Sequence, residues 1–344
     1  MGRKTVYNQI TSPELIEQIN KDNIQLMDDF LSYLKSIDRS DMTIDGYRSD
    51  LLIFFCWNVE SNDNKYFVDL TKREVAKFQN YALNDWGWSS NRLRRVKSAL
   101  SSMSSYIENI LDDEIKDFKP IIKKIENPVK VEVREKTILT IEQVEKLLDD
   151  LVAQGKEQTA CAVALAAYSG TRKSELVRFK TNYFKDEYII FGSIYKTPEK
   201  IKTKGRGNKY GKQLYKYTLI DFKKYYDAWM KKREELGIES EWLFVVPDKD
   251  GNYEQAKISV LNSYAQTCSR MLGIPFYFHS LRHMLTTLMA GKYHIPSKVI
   301  QEYFGWSSTA LVDIYDDTEV ADTFGDYFSK DGIKECKQGS LSSI

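Results

Sequence analysis

The N-terminal third of the chain has a helical spacing of apolar and polar positions. Apolar residues recur every three to four positions in IQLMDDFLSYLKSI (24–37) and LTKREVAKFQNYAL (70–83), and another helix is predicted to open at Thr43. A fourth predicted helix follows Ser89-Ser90 and carries basic residues ahead of an apolar run. The pattern predicts a helical domain over residues 21–115, preceded by a short polar lead-in over residues 1–20.

The helical spacing stops at residues 116–136. This segment contains Pro120 and Pro128, and its seven basic residues outnumber its four acidic ones. We predict an extended, basic interdomain linker here. A new helix then starts at Thr140, where Gln143 completes a capping box. The second domain is therefore predicted over residues 137–330, with a tail over residues 331–344.

The pattern within the second domain is mixed. EQTACAVALAAYSG (157–170) is typical of a buried helix rich in alanine, while EYIIFG (187–192) and QLYKYTLI (213–220) favour strands. Further helices are predicted at 221–235, 258–271, 280–291 and 296–304. Neither a repeated βα alternation nor a GxGxxG or Walker pattern is present. The fold class is thus predicted as mainly α with a small antiparallel β-sheet, without support for a nucleotide cofactor.

Composition places the chain among soluble globular proteins of two domains. Its 344 residues are 42% hydrophobic and 29% charged, with a net charge of +1. The near-neutral net charge does not exclude a local basic surface. Residues 196–216 hold eight basic residues and one acidic residue. The four cysteines lie far apart, and no apolar run approaches the ~20 residues that span a bilayer. We therefore expect a cytoplasmic protein without a membrane role.

Three short motifs carry residue types that suit phosphate chemistry. Arg172 stands in SGTRKSEL, His279 and Arg282 stand one helical turn apart in HSLRH, and Tyr315 ends GWSSTALVDIY. Guanidinium groups match pairs of phosphate oxygens, and a tyrosine hydroxyl can attack phosphorus. Other interpretations stay open for single residues. Arg172 could simply pair with Glu175, and His279 with His283 has the spacing of a metal pair, although Ser280 stands where a zinc protease has glutamate.

Taken together, SGTRKSEL, the lysine-rich strand pair, HSLRH and GWSSTALVDIY resemble the tyrosine recombinase (phage integrase) family. The resemblance covers about residues 134–325, and the helical region before them is similar to the family's core-binding domain. It implies a helical core-binding domain followed by a tyrosine-recombinase catalytic domain. It also implies cleavage and rejoining of duplex DNA through a 3′-phosphotyrosyl intermediate, with no cofactor and no metal ion.

The resemblance assigns a role to each motif residue. It makes Tyr315 the nucleophile, Arg172 and Arg282 the phosphate-binding arginines, His279 an acid–base group, and Glu175 the acid that orients Arg172. Trp306 stands where the family most often has histidine, and its indole N–H can still donate to a phosphate oxygen. The general acid is best matched by Lys204, with Lys202 and Lys209 as alternatives. His283 is expected to be structural.

Partners follow from the same resemblance. We expect double-stranded DNA with inverted-repeat core sites and a homotetramer on that DNA, in which a helix bearing Val320, Phe324 and Phe328 docks on a neighbour or on its own protomer. The residues expected to contact DNA are Arg92, Arg94, Arg95, Lys97, Lys123, Lys124, Lys202, Arg206 and Lys209. For the charged run at 92–97, a merely solvated surface is the alternative. The alternative functions are DNA relaxation like that of a type IB topoisomerase, and non-catalytic DNA binding.

Overall fold

The computed structural model describes residues 10–129, 139–203 and 212–315, together with the backbone of two short strands near the C-terminus. The described chain divides into two compact units, one before and one after residues 130–138. Both are largely helical, and every paired strand is antiparallel among the described residues. The predicted fold class is confirmed.

The first unit is a helical bundle whose helices begin at polar caps. Ser40 and Ser89 cap the two longest helices, and Thr71 forms a capping box with Glu74. Its core is aromatic, and the Phe54 and Phe78 rings meet edge to face at 5.0 Å. The helices are α1 (Pro13–Gln18), α2 (Lys21–Ser36), α3 (Asp41–Ser61), α4 (Lys72–Asn84) and α5 (Ser90–Ile110), with 3₁₀ turns at Phe67–Asp69 and Ile122–Lys124.

Two sequence-based boundaries of this unit need correction. Residues 10–20 of the predicted lead-in include helix α1, and Ile10 and Ile19 are buried in the bundle core. The predicted linker is likewise not extended throughout, since Ile122 in its 3₁₀ turn is buried in the same core. Each segment nevertheless packs four apolar residues in or against the bundle core, and polar or charged neighbours obscure them in the sequence pattern. They are Ile10, Leu15, Ile16 and Ile19 in the first segment and Phe118, Ile121, Ile122 and Ile125 in the second. The domain limits otherwise stay predictions.

The second unit is built around helix α7 (Glu157–Ser169), which is buried from Thr159 to its end. Its small residues let neighbouring helices pack closely on several sides. Helix α6 (Ile141–Ala153) begins with the predicted capping box of Thr140 and Gln143. The remaining helices are α8 (Lys173–Leu176), α9 (Lys223–Glu235), α10 (Val260–Leu272), α11 (Phe278–Thr287), α12 (Ser297–Phe304) and α13 (Ala310–Tyr315), with a π-helical turn at Leu288–Lys292 and 3₁₀ turns at Thr181–Phe184, Asp186–Tyr188 and Ile220–Phe222.

Short strands flank these helices. A three-stranded sheet has the order β1 (Ile189–Ile190), β2 (Ile194–Lys196) and β5 (Tyr217–Leu219). Tyr195 of β2 lies opposite Ile189 of β1 and Thr218 of β5. The sequence predicts only its outer strands, because β2 has three residues and ends in the charged Lys196. The strands are β1 (Ile189–Ile190), β2 (Ile194–Lys196), β3 (Ile201–Lys202), β4 (Gln213–Leu214), β5 (Tyr217–Leu219), β6 (Val245–Pro247) and β7 (Tyr253–Gln255).

The C-terminal segment differs from the predicted docking helix. Phe328 lies in strand β8 (Phe328–Ser329), which pairs with β9 (Gly332–Ile333), so the helix cannot extend to that residue. Val320 and Phe324 lie outside the described residues. Across the ranges that the structure describes, no helix is both long and apolar enough to cross a membrane.

Candidate active site

A tight turn at Gly170 presents Arg172. Gly170 ends helix α7 with φ +56°, a conformation that favours glycine. A Cβ there would lie 2.0 Å from Cε1 of Phe304, so the close approach also requires glycine. Arg172 then stands at the start of α8 with a partly exposed side chain. The turn thus holds Arg172 at the surface end of a buried helix.

Arg282 comes from helix α11 and meets the same turn. Its side chain is only 1% exposed, and Nη1 donates a 2.6 Å hydrogen bond to the carbonyl oxygen of Gly170. The guanidinium carbon lies 4.8 Å from the Phe304 ring centroid and 4.9 Å from the Trp306 ring centroid. Burial, together with the charge of Arg172, lowers the pKa of Arg282 to about 10. The group is still cationic at neutral pH.

Three buried N–H donors at this position have no acceptor among the described residues. They are Nε and Nη2 of Arg282 and Nε1 of Trp306. Buried donors without acceptors are costly, and few are tolerated without a functional reason. Two of the three belong to a cationic group, so the missing acceptor is expected to be an anion.

Tyr315 lies against this donor cluster. Its ring stacks on Trp306 with centroids 4.9 Å apart, and the guanidinium carbon of Arg282 lies 5.6 Å from its centroid. The rings of His283 and His279 lie 4.6 Å and 5.3 Å away. The structure therefore brings Arg282, His279, Trp306 and Tyr315 together, while Arg172 joins them across the Gly170 turn.

The two histidines differ in setting. His279 is exposed, yet partial burial of its ring, the neighbouring His283 and the positive charges of Arg282 and Arg172 lower its pKa. The imidazole is consequently neutral at pH 7 and can accept a proton. The sequence predicts a purely structural His283, but its ring is the one closest to Tyr315 of the two. The structure does not support a metal site at His279 and His283, because no third histidine, cysteine or carboxylate joins them in the described ranges.

Glu175 is fully buried and bridges two cations. Its Oε1 accepts from Nη1 of Arg172 at 3.3 Å, as the sequence predicts, and its Oε2 accepts from Nζ of Lys216 at 2.5 Å. Burial alone would raise the pKa of Glu175, but the ion pair with Lys216 and the charges of Arg172 and Arg282 outweigh burial and lower it. Sequence reasoning misses Lys216, since nothing in the basic stretch separates it from its solvated neighbours.

The hairpin that carries the basic stretch is anchored beside the site. Its central residues, including Lys204, Arg206 and Lys209, lie outside the described residues. At its base, the carbonyl of Lys202 accepts a hydrogen bond from Arg178, and Nζ of Lys212 lies 3.5 Å from the Gly305 carbonyl oxygen. Strands β3 and β4 therefore emerge next to the Gly305-Trp306 pair.

The predicted DNA-contacting arginines of α5 are tied to acceptors inside the first unit. Asp50 is buried and accepts from Nη1 of Arg92 at 2.8 Å and from Nε of Arg95 at 2.9 Å. Arg94 donates to the carbonyl oxygen of Pro128 at 2.7 Å. The side chain of Arg95 is still 56% exposed, so it combines a structural contact with an accessible surface. The merely solvated alternative does not describe these arginines.

The prediction for Lys97 needs correction. Its side chain is buried at 4% exposure, and Nζ donates to Oε1 of Gln79 and to the carbonyls of Ile125 and Glu126. An ammonium with three protein acceptors and almost no exposed surface cannot contact a phosphate of DNA. Of the two lysines in the 3₁₀ turn, Lys123 donates to Ser105 and Lys124 is exposed.

Tyr303, the nearest competitor of Tyr315, has a structural position. Its hydroxyl donates a 2.6 Å hydrogen bond to the carbonyl oxygen of Tyr168, and burial raises its pKa. Both effects keep the phenol protonated and away from solvent. Tyr315 is thus the better placed of the two to react with a bound anion.

Comparisons with known proteins identify the family of this chain. Residues 137–321 match the phage integrase family, and residues 26–117 match the N-terminal SAM-like domain of phage integrases. The first match alone spans more than half of the sequence. The chain therefore belongs to the phage integrase family of tyrosine recombinases.

The chain is also similar to individual proteins. The chain is 27% identical over 231 residues to the SPbeta prophage-derived recombinase-like protein YomM of Bacillus subtilis (strain 168), covering 66% of each. It is 22% identical over 305 residues to the tyrosine recombinase XerC of Caldanaerobacter subterraneus subsp. tengcongensis, covering 84% of this chain and 82% of that protein. The fold matches a lambda integrase tetramer bound to a Holliday junction with a TM-score of 0.60 at 18% identity, covering 86% of this chain and 77% of that one.

Proposed function

We propose that this protein is a site-specific DNA recombinase that cleaves and rejoins duplex DNA through Tyr315. Family membership supports the class of activity, site-specific recombination. The observation that carries the residue assignment is the cluster of buried donors beside Tyr315, namely Nε and Nη2 of Arg282 and Nε1 of Trp306. A phosphodiester is the anion that recombination requires at this position.

The donors stabilise the phosphate as charge develops on it. Arg282 supplies a fixed cation with two unused N–H groups, and Trp306 adds a neutral donor from an indole held by stacking. Arg172, oriented by Glu175, approaches from the Gly170 turn. Donors already in place need no rearrangement during the reaction, and each can contribute a factor of roughly 10²–10³ in rate.

Covalent exchange proceeds in two balanced steps. The hydroxyl oxygen of Tyr315 bonds to phosphorus and its proton passes to neutral His279, while the bond from phosphorus to the 5′-oxygen breaks. Lys204 protonates that oxygen, with Lys202 and Lys209 as the alternative donors. A 5′-hydroxyl of another strand then attacks the phosphorus of the 3′-phosphotyrosyl link and passes its proton to that lysine. The bond from phosphorus to the Tyr315 oxygen breaks, and protonated His279 returns a proton to that oxygen. The protein–DNA bond conserves the phosphodiester, so the exchange consumes no nucleotide.

The proposal includes the DNA partner and the assembly. The basic hairpin and the exposed parts of Arg95 and Lys124 would contact the backbone of inverted-repeat core sites. A homotetramer on two such sites fits the exchange of two duplexes, and it is supported by the fold shared with the lambda integrase tetramer. Action on cellular DNA would place the protein in the cytoplasm.

Covalent capture tests the function and selects the DNA site in the same experiment. The protein is incubated with a pool of nicked duplexes that carry randomised flanks, because loss of the fragment beyond the nick traps the covalent intermediate. Adducts that survive denaturant are recovered and sequenced. We expect enrichment of one inverted-repeat sequence and attachment at Tyr315.

Two tyrosine variants provide the matched comparison. Tyr315→Phe should bind the selected duplex and form no adduct, whereas Tyr303→Phe should still form it. Adducts that persist in Tyr315→Phe would overturn the assignment of the nucleophile. Relaxation of a supercoiled plasmid lacking the selected sequence would instead indicate topoisomerase activity.

A further inference from the structure

A buried lysine supports the Arg172 end of the site. Lys216 is 4% exposed, and its ammonium group lies 2.5 Å from Oε2 of Glu175. The other carboxylate oxygen of Glu175 accepts from Nη1 of Arg172. One fully buried carboxylate therefore connects a buried lysine to the partly exposed arginine that is proposed to bind phosphate.

The backbone of Lys216 is fixed at the base of the basic hairpin. Its N–H donates to Oγ1 of Thr197 at 3.0 Å, and its carbonyl oxygen accepts from the N–H of Thr197 at 2.9 Å. The next residue, Tyr217, begins strand β5 opposite Lys196 of β2. Lys216 thus reaches Glu175 from a backbone that two hydrogen bonds hold beside a strand pair, which is the kind of support that orients a charged side chain well.

Stability gives a poor reason for this arrangement. Removing a lysine and a glutamate from water costs free energy that their attraction often fails to recover, and an apolar pair would serve a core as well. Neighbouring positions in the same stretch hold exposed or half-buried lysines, including Lys212 and Lys202. A lysine buried with its ammonium on Glu175 is better explained by what Glu175 does to Arg172.

We propose that Lys216 is a positioning residue for Arg172, acting through Glu175. Lys216 keeps the carboxylate ionised and fixed, and the carboxylate in turn restricts the guanidinium of Arg172 to one orientation. The inference rests on the proposed function, because Arg172 must contact the scissile phosphate for its orientation to affect cleavage.

Charge explains the consequence of losing Lys216. The charged groups that face Glu175 are Lys216, Arg172 and Arg282, and together they hold the pKa of Glu175 below its ordinary value against the effect of burial. Without Lys216, fewer positive charges oppose the effect of burial, so the pKa of Glu175 rises. A protonated Glu175 no longer offers an anionic acceptor to Arg172. Cleavage would then decline as the pH falls through this raised pKa.

Two variants separate positioning from simple support of the fold. Lys216→Met removes the ammonium and retains an apolar stem, whereas Lys216→Met combined with Glu175→Gln removes both charges of the buried pair. We expect the single variant to cleave the selected nicked duplex about 10–100-fold more slowly than the unmodified protein, in the range typical for loss of an orienting partner. The acidic limb of its pH–rate profile for cleavage should move to higher pH by at least about one unit. The double variant should not show this loss of cleavage at low pH.

A second measurement does not depend on cleavage. The heteronuclear NOE of the Arg172 Nε–H group, assigned by its loss in Arg172→Lys, reports whether the guanidinium is ordered. We expect a high value in the unmodified protein and a reduced one in Lys216→Met. If Lys216→Met lowers only the thermal stability, with an unchanged pH profile and an unchanged NOE, Lys216 is a structural residue and the inference is wrong.

The two proposals fail in different ways. If the unmodified protein forms no Tyr315 adduct while the Arg172 NOE still depends on Lys216, the positioning network holds and the proposed function is lost. If adducts form at equal rates with and without Lys216, the function stands and the positioning role does not.

Discussion

Arg282 donates a 2.6 Å hydrogen bond to the carbonyl oxygen of Gly170, a residue 112 positions earlier in the chain. Arg172 follows Gly170 by two residues, so this contact joins the two segments that carry the arginines proposed to bind phosphate. The bond uses one N–H of Arg282 and leaves Nε and Nη2 without an acceptor among the described residues. A single guanidinium group therefore holds the Gly170 turn with one N–H and keeps two others for the proposed phosphate.

Two aromatic rings pack against the guanidinium group of Arg282. Phe304 and Trp306 stack at 4.7 Å, and both lie within 5 Å of the Arg282 guanidinium carbon. Planar contacts of this kind restrict a guanidinium group without using its N–H donors. The same Phe304 ring occupies the space beside Gly170. A substitution at Gly170 should therefore disturb the arginine site as well as the turn.

Replacing Gly170 by alanine should destabilise the second unit strongly. The positive φ disfavours alanine, and the new Cβ would lie within 2.0 Å of Phe304, so we expect a loss of about 2–5 kcal/mol in the free energy of unfolding. Gly155→Ala is the control, because Gly155 has φ +67° with no atom near its Cβ position. That variant should lose only about 1–2 kcal/mol. Urea unfolding of both variants measures the difference, and equal losses would contradict the close packing.

Trp306 should act through its N–H donor as well as through its ring. Trp306→Phe preserves stacking on Phe304 and removes Nε1, so we expect cleavage to slow by about 10²-fold with little change in thermal stability. Trp306→His replaces the donor and should recover part of the rate. Single-turnover cleavage of the captured duplex gives the comparison, and equal rates for the two variants would argue against a hydrogen bond from Trp306.

Local patterns predict the elements whose signals are complete within one segment. The capping box of Thr140 and Gln143 and the alanine-rich helix α7 need no tertiary information. Arg172, Arg282 and Tyr315 are far apart in the sequence, yet their motifs resemble one family, and the structure brings them together. The resemblance of the motifs to one family therefore supplies tertiary information that hydrophobic periodicity alone does not contain.

The burial of a charged residue cannot be predicted from local sequence patterns. The sequence does not distinguish Lys97 and Lys216 from their basic neighbours, because charge and spacing are the same for a solvated lysine and a buried one. Each lysine is buried against acceptors from a distant part of the sequence. Lys97 donates to the carbonyls of Ile125 and Glu126. Lys216 donates to the carboxylate of Glu175. No local pattern names those acceptors.

His279 should make stability depend on pH below neutrality. Its folded pKa is below the ordinary histidine value of 6.5, chiefly through partial burial, so the unfolded chain binds the proton more tightly. The contribution of His279 is complete above pH 6.5 and declines as the pH falls from there toward the folded pKa. The ring is exposed and solvent screens it, so we expect a change below about 1 kcal/mol.

The measurement compares unfolding free energies of the unmodified protein and His279→Gln between pH 8 and pH 5. Their difference should shift against the unmodified protein as the pH falls, because glutamine does not titrate. A difference that is constant with pH, or that shifts in favour of the unmodified protein, would show that the pKa of His279 is not lowered.

The first unit offers a final contrast between two lysines. Lys97→Met leaves the carbonyls of Ile125 and Glu126 without their buried donor, so we expect a loss of about 1–3 kcal/mol in the free energy of unfolding. Lys124 is exposed, and Lys124→Met should leave stability within about 0.5 kcal/mol.

DNA binding should respond in the opposite order. If Lys124 contacts a phosphate, Lys124→Met lowers the slope of log affinity against log salt concentration by about one. Lys97→Met should leave that slope unchanged at temperatures where the variant is folded, because a buried ammonium releases no counterion from DNA. Salt titrations of both variants on the captured duplex measure the two slopes. A reduced slope for Lys97→Met alone would return Lys97 to the DNA-contacting surface and contradict its buried position.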